Sequence, residues 1–217
     1  GRTMIVPCLG HAKFLLELDN GLRIVTDPYD DQSGYPVTPV NADVVLVSHG
    51  HHDHNAVETI GGNPRIVREA GVTTLAPDVR VTALSAYHDN VHGAKRGSTL
   101  LFLLEAEGLR VAHLGDLGHT LTDAQRRTLT PVDLLMIPVG GFYTIDAPTA
   151  RQVAEDLQAR VILPMHYRNQ WTSDWPIAPL EDFTRLYQDV PPPMPLLRVT
   201  AQDLSCQPHV AVLTPQV

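Results

Sequence analysis

Cysteine is nearly absent from this chain. Cys8 and Cys206 are the only two in 217 residues, and their spacing fits no metal knuckle. A disulfide framework and a cysteine-built zinc site are therefore excluded as organising devices, and two buried thiols in a reducing cytoplasm are expected. Long apolar runs are also missing: none approaches the roughly 20 residues of a membrane span, so no membrane partner is expected. The stretch after Gly1 has no basic segment leading into an apolar one, so a secretory leader is not expected. Basic surplus is lacking as well. Sixteen Lys and Arg face 24 Asp and Glu, for a net charge of −8 and a pI near 5.7. That balance argues against a non-specific nucleic-acid binder, which would carry a basic face. No glycine-rich phosphate loop is present.

What remains is a chain rich enough to fold. Hydrophobic residues make up 43% and charged residues 18%, the proportions of a globular protein. The length suits one sizeable core and is short for two, so one domain over residues 1–217 is expected. Nothing in the sequence decides between a monomer and a homo-oligomer.

Short apolar runs at 4–9, 14–18 and 22–26 read as a three-stranded meander, the second pair closed by Asn20-Gly21. Residues 44–47 form a continuous β-branched and leucine run, as in a strand buried on both faces. A short helix is predicted over 54–60, stopped by Gly61-Gly62-Asn63-Pro64. Further strands are predicted at 65–67, 72–75, 79–84, 100–105, 109–114, 134–139 and 161–165. Thr122 to Gln125 is a capping-box pattern opening a helix through Leu129. A second helix begins near Asp146, with Pro148 in its first turn and Ala150, Val153, Ala154 and Leu157 on one face. A third is predicted over 180–187, ending before the rigid Pro191-Pro192-Pro193 connector. Hairpins early and alternating strands and helices late imply two mixed sheets packed together, an α/β layer fold with helices outside.

Several of these runs end in metal-ligand side chains. Residues 44–48 run directly into His49-Gly50-His51-His52-Asp53-His54. His88 closes the run that begins at Val79, Asp116 the one that begins at Arg110, and His166 the one that begins at Val161. Strand ends of this kind aim imidazoles and carboxylates at one sheet edge. On an extended backbone His49 and His51 point the same way, so both rings can reach one cation, which His88 would complete. Asp53 and His54 follow as the chain turns, free to serve a second cation that His166 completes. Asp116 suits a bridge between them. Nitrogen-rich ligation favours two Zn²⁺ ions, with Mn²⁺ or iron as alternatives.

This arrangement resembles the metallo-β-lactamase superfamily, whose H-x-H-x-D-H signature is matched by His49, His51, Asp53 and His54. His88, Asp116 and His166 match its later ligand positions in order. Gly115-Asp116-Leu117-Gly118-His119 and Pro138-Val139-Gly140-Gly141 are similar to a subgroup of small bacterial metal-dependent hydrolases related to ascorbate-6-phosphate lactonases. The resemblance implies a four-layer αββα sandwich with the site at one edge of the two sheets. His51 in the second ligand position argues against the di-iron redox branch, which carries Glu there.

Other residues carry two readings each. His11 follows the first strand at a position where the related hydrolases also have His; it is either a catalytic residue of the cleft or a structural hydrogen-bonding partner. Asp27 either orients a ligand histidine or caps a turn. His52, in the variable position of the signature, reads as a surface or supporting imidazole, His113 as a core residue, and His92 and His119 as solvated loop residues. Tyr143 and Thr144, after the flexible Gly140-Gly141, either approach the substrate or form a plain strand-to-helix turn. Trp171 and Trp175 either wall a pocket or pack a long loop.

A cation pair makes hydroxide from water at neutral pH, with Asp53 placed to accept its hydrogen bond. The expectation is a hydrolase that needs no Ser or Cys nucleophile and acts on a small-molecule ester or lactone. A phosphodiester substrate and a non-catalytic metal-binding sensor are the competing readings.

Overall fold

Alternation along the strands decides the layers. A computed structural model describes residues 2–51 and 54–217. Its strands, in chain order, are β1 (Met4–Gly10), β2 (Lys13–Glu17), β3 (Arg23–Thr26), β4 (Val40–Asn41), β5 (Val44–Leu46), β6 (Ile60–Gly61), β7 (Arg65–Val67), β8 (Gly71–Ala76), β9 (Val79–Tyr87), β10 (Ser98–Ala106), β11 (Leu109–His113), β12 (Leu134–Pro138), β13 (Val161–Met165) and β14 (Leu196–Val199). The helices are α1 (Asp123–Leu129), α2 (Ala147–Asp156) and α3 (Glu181–Thr184). One six-stranded sheet runs β14-β1-β2-β3-β5-β7 and the other β13-β12-β11-β10-β9-β8. Both are mixed: β3-β5-β7 and β11-β12-β13 are parallel, the remaining neighbours antiparallel.

The two sheets face each other across one core. Phe14, Leu16, Ile24, Val44 and Leu46 from the first meet Val81, Phe102, Leu104, Val111, Met136 and Leu163 from the second. The intervening residues of the second sheet, such as Leu101, Leu103, Leu135 and Ile137, pack outward on Ala150 and Val153 of α2, Leu129 and Phe183. Thr122 and Gln125 close the capping box of α1, and Asp146 caps α2 with Pro148 in its first turn. The outer face of the first sheet carries Leu15, Val25, Val45 and Val47, covered by Ala42 and Ile60.

The predicted helix over 54–60 is corrected by the structure. A single 3₁₀ turn (Val57–Thr59) leads into β6, which pairs in parallel with β4. Val57, Thr59 and Ile60 are β-branched and resist a helix, and the Ala56 N–H is taken by the Pro28 carbonyl. The helix predicted over 180–187 is likewise only α3, its continuation tightening into i→i+3 bonds from Leu186 and Tyr187. After the triple proline the chain returns as β14 on the edge of the first sheet, beside β1, an addition the sequence reading lacks.

Lys13 is an odd occupant of this frame. It shares the outer face of β2 with Leu15 and is 0% exposed. Its Nζ lies 3.4 Å from the Thr38 carbonyl and 5.3 Å from the Tyr29 ring centroid. Burial pulls its pKa from 10.5 down to about 8. A lysine that is harder to charge when folded lowers stability wherever it is charged, so the cost is full below about pH 8 and vanishes above 10.5. Lys13→Met is therefore expected to raise the unfolding free energy at pH 7, by about 3 kcal/mol at most. Denaturant titrations from pH 7 to 11 check this; a gain that does not shrink with rising pH would contradict the account.

Candidate metal centre

Six strands end at the same rim, and each delivers a polar side chain there: β1 gives His11, β3 Asp27, β5 Ser48 to His51, β9 His88, β11 Asp116 and β13 His166. His11, Asp27 and His166 hold φ values of +53°, +38° and +57°. These left-handed turns swing the side chain off the strand line, and Asp and His tolerate them better than most residues. Glycine provides the close approaches. At Gly115 a Cβ would stand 2.6 Å from Thr99 Oγ1 and 2.8 Å from Ser48 Cβ, and at Gly140 it would stand 2.2 Å from the His166 carbonyl.

Asp116 is the hub. Its Oδ2 lies 2.8 Å from His49 Nε2 and 2.8 Å from His88 Nε2. Its Oδ1 lies 3.1 Å from His54 Nε2 and 3.5 Å from His166 Nε2. Two nitrogen or oxygen ligands of one tetrahedral cation stand roughly 3.4 Å apart, so this spacing fits a shared cation on each side. Asp116 Oδ1 is buried and, among the described residues, accepts no hydrogen bond, which a protein interior seldom tolerates without an ion or water. Burial pushes the Asp116 carboxyl up, but His54, His166 and His49 outweigh it and hold it well below the ordinary range. Burial, then His54, lowers His49; at His88 burial is outweighed by Asp116 and the imidazole is raised.

The donor atoms fall into overlapping groups, each with all atoms within 4.8 Å of one another: His49, His51 and His88; His11, His54 and His166; and His49, His54 and Asp116. His51 is exposed and the others are buried. Asp53 and His52 lie outside the described residues. His11 joins the second group, its ring 4.3 Å from that of His166 and 4.9 Å from that of His54.

Asp27 takes its orienting reading. Its Oδ2 is 2.6 Å from His54 Nδ1 and accepts from Ser48 Oγ at 2.5 Å, while Oδ1 accepts from Ser48 N–H at 2.7 Å. The sequence reading missed Ser48; its only signal is its place directly before His49. His113 is buried in the core between the sheets, with Nε2 3.0 Å from the Ala12 carbonyl and its ring beside Phe14. His119 is half-buried and structural, its Nε2 accepting from Tyr87 N–H at 3.0 Å.

A cavity of about 580 Å³ opens over the cluster, lined by His51, His88, Asp116 and His166 and walled by Tyr143, Trp175 and Arg96. Trp175 thus walls the pocket, its ring 5.2 Å from that of His11, whereas Trp171 stacks on Tyr35. Tyr143 lines the cavity and Thr144 does not: Thr144 is buried and its hydroxyl donates to the Ile145 carbonyl at 3.0 Å. Arg96 escaped the sequence reading because nothing marks it within an ordinary polar loop.

Two facing mixed sheets with a histidine and carboxylate cluster at their common rim define a class, and the chain matches the β-lactamase superfamily domain over residues 6–166. The chain belongs to that superfamily, and the class is that of its metal-dependent hydrolases. Among its relatives is a UPF0173 metal-dependent hydrolase of Thermococcus kodakarensis, 31% identical over 85% of this chain and 92% of that one. Another, of Carboxydothermus hydrogenoformans, is 29% identical over 77% of this chain and 86% of that one. A crystal structure from Thermotoga maritima, described as a candidate Zn-dependent hydrolase of the metallo-β-lactamase superfamily, superimposes with a TM-score of 0.79 at 35% identity, covering 97% of this chain and 98% of that one. Among the described residues no helix is long and apolar enough to cross a membrane.

Proposed function

We propose that this hydrolase works through a dinuclear centre and acts on a small carboxylic ester or lactone. The observation that carries the reading is the division of the Asp116 carboxylate, one oxygen toward His49 and His88 and the other toward His54 and His166. His49, His51 and His88 would hold one cation. His54 and His166 would hold the other, with Asp53 from the sequence signature and with His11 close by; Asp116 would serve both sides. A bound pair of divalent cations, Zn²⁺ by the nitrogen-rich donor set, supplies a water whose pKa falls from 15.7 toward roughly 7 and a Lewis acid for the attacked oxygen.

The chain's own residues set up that chemistry. Asp116 stays ionised and offsets cationic charge at the rim. Asp27 accepts from His54 Nδ1, which leaves the Nε2 lone pair directed at the Asp116 side. Asp53 would accept a hydrogen bond from the nucleophilic hydroxide and orient it. Trp175 and Tyr143 wall the cavity and limit solvent access. The exposed Cys206 thiol and the buried Cys8 thiol are both free, which suits a reducing cytoplasm.

Protein purified without added metal is expected to carry two equivalents by elemental analysis and to hydrolyse γ-butyrolactone derivatives. Chelation is expected to remove that activity, Zn²⁺ to restore it, and Asp53→Ala to lack it. Turnover of bis(4-nitrophenyl) phosphate alone would overturn the ester assignment. Equal background rates with and without metal would overturn the enzyme reading and leave a metal-binding sensor.

A further inference from the structure

Arg96 is the one Lys or Arg lining the cavity among the described residues, in a chain of net charge −8. Three features hold it there. First, the Asp89 carboxylate gathers its loop: Oδ1 accepts from the N–H groups of Val91 and Gly93, and Oδ2 from those of Lys95 and Arg96, all within 2.9 Å. A carboxylate spent on four backbone donors makes a short loop rigid. Second, the Arg96 guanidinium lies 5.5 Å from the ring centroids of both Phe142 and Tyr143. Third, Phe142 presents its ring at a backbone cost: it is 61% exposed and sits at φ +61°. A bulky residue in the left-handed region is a true outlier, and such strain gathers where a side chain must be placed for a task.

The guanidinium itself is unspent. Among the described residues it forms no ion pair, and Asp174, which also lines the cavity, does not approach it within salt-bridge distance. Its fork of N–H donors therefore faces a cavity that has the His51, His88, Asp116 and His166 cluster in its wall. Planar, always charged and stacked on aromatic rings, it has the geometry that recognises a carboxylate or phosphate in bidentate fashion.

We propose that Arg96 is a specificity-determining residue that binds an anionic group on the substrate, a carboxylate or phosphate set apart from the bond to be cleaved. The inference rests on the hydrolase reading for the reaction but not for the binding. Its test uses metal-loaded protein and γ-butyrolactones that carry, at one ring carbon, a hydroxymethyl, a carboxylate or a phosphate-ester group. Wild type is expected to favour the charged lactones in kcat/KM and in calorimetric Kd. Arg96→Gln is expected to reduce that preference on the order of tenfold to a hundredfold, mainly through KM and Kd, as for loss of a charge-assisted pair. Arg96→Lys is expected to fall between the two, and Phe142→Leu, which removes one of the two rings beside the guanidinium and leaves Tyr143, to reduce the preference less. Whichever charged lactone loses more identifies the anionic group. An unchanged preference in Arg96→Gln, or a wild type that binds the hydroxymethyl lactone as well as the charged ones, overturns the proposal. If no lactone is hydrolysed the ester reading fails, while the Kd comparison still decides the role of Arg96.

Discussion

Asp116→Asn is expected to lower hydrolysis more than about a hundredfold, the upper range for residues that merely support a metal ligand, and to reduce bound metal below two equivalents. Asparagine keeps the shape of the side chain and its hydrogen bond from Asp116 N–H to Thr99 Oγ1 at 3.2 Å, so the backbone should hold. What is lost is the charge and one oxygen. The carboxylate stands between imidazole nitrogens at 2.8, 2.8, 3.1 and 3.5 Å, and an amide NH₂ in either position would turn a donor, with no lone pair to offer, toward the place a cation would take. Elemental analysis together with kcat measures both effects. Circular dichroism shows whether the fold survives. Two retained equivalents with near-normal turnover would remove Asp116 from the centre of the site.

How much of this was legible in sequence depended on whether a residue's role is set by its neighbours in the chain or by chain far away. His49, His51 and His54 form a dense cluster after an apolar run, and His88, Asp116 and His166 each close another. A strand end and a ligand side chain are both local features, so these positions could be read directly. The rim at which they meet could be inferred from the layer order. The loop of Arg96 was silent because its value comes from Asp89 bonds and from rings at Phe142 and Tyr143, more than forty positions away in sequence. Ser48 was silent for the same reason: its hydroxyl matters only because Asp27 arrives beside it from β3. The segment 54–60 misled because a polar stretch beside a helix-compatible run was read on its own, whereas β4 and Pro28 supplied partners that a helix would have forfeited. His11 had a legible position after β1, yet its company of His54 and His166 is a product of β13 and the site loop meeting at one rim.

Asp27→Ala is expected to cost about 3–5 kcal/mol of stability, the range for breaking a buried charged network by removing one partner. In a chain of this length that is on the order of a 10 °C fall in Tm. The side chain is fully buried and accepts from Ser48 N–H, Ser48 Oγ and His54 Nδ1 at 2.7, 2.5 and 2.6 Å. Alanine leaves those donors facing a gap and keeps only a methyl at φ +38°, a region Asp and Asn tolerate better. Asp27→Asn separates the two contributions: it keeps the backbone conformation and an acceptor oxygen for Ser48, but its NH₂ opposes the imidazole. It should cost less stability than alanine while still weakening metal binding tenfold to a hundredfold, because the His54 ring loses its orienting carboxylate. The pH dependence has a fixed sign. Burial raises the Asp27 carboxyl, and His54 more than reverses that, so its folded pKa lies below the ordinary 3.8. Its ionic contribution is then full above about pH 4 and is lost as pH falls through the folded value. The stability gap between wild type and Asp27→Asn should therefore narrow in acid. A gap that is unchanged from pH 7 down to 3, or an Asp27→Asn protein that binds metal as tightly as wild type, would show that Asp27 packs the rim without orienting His54.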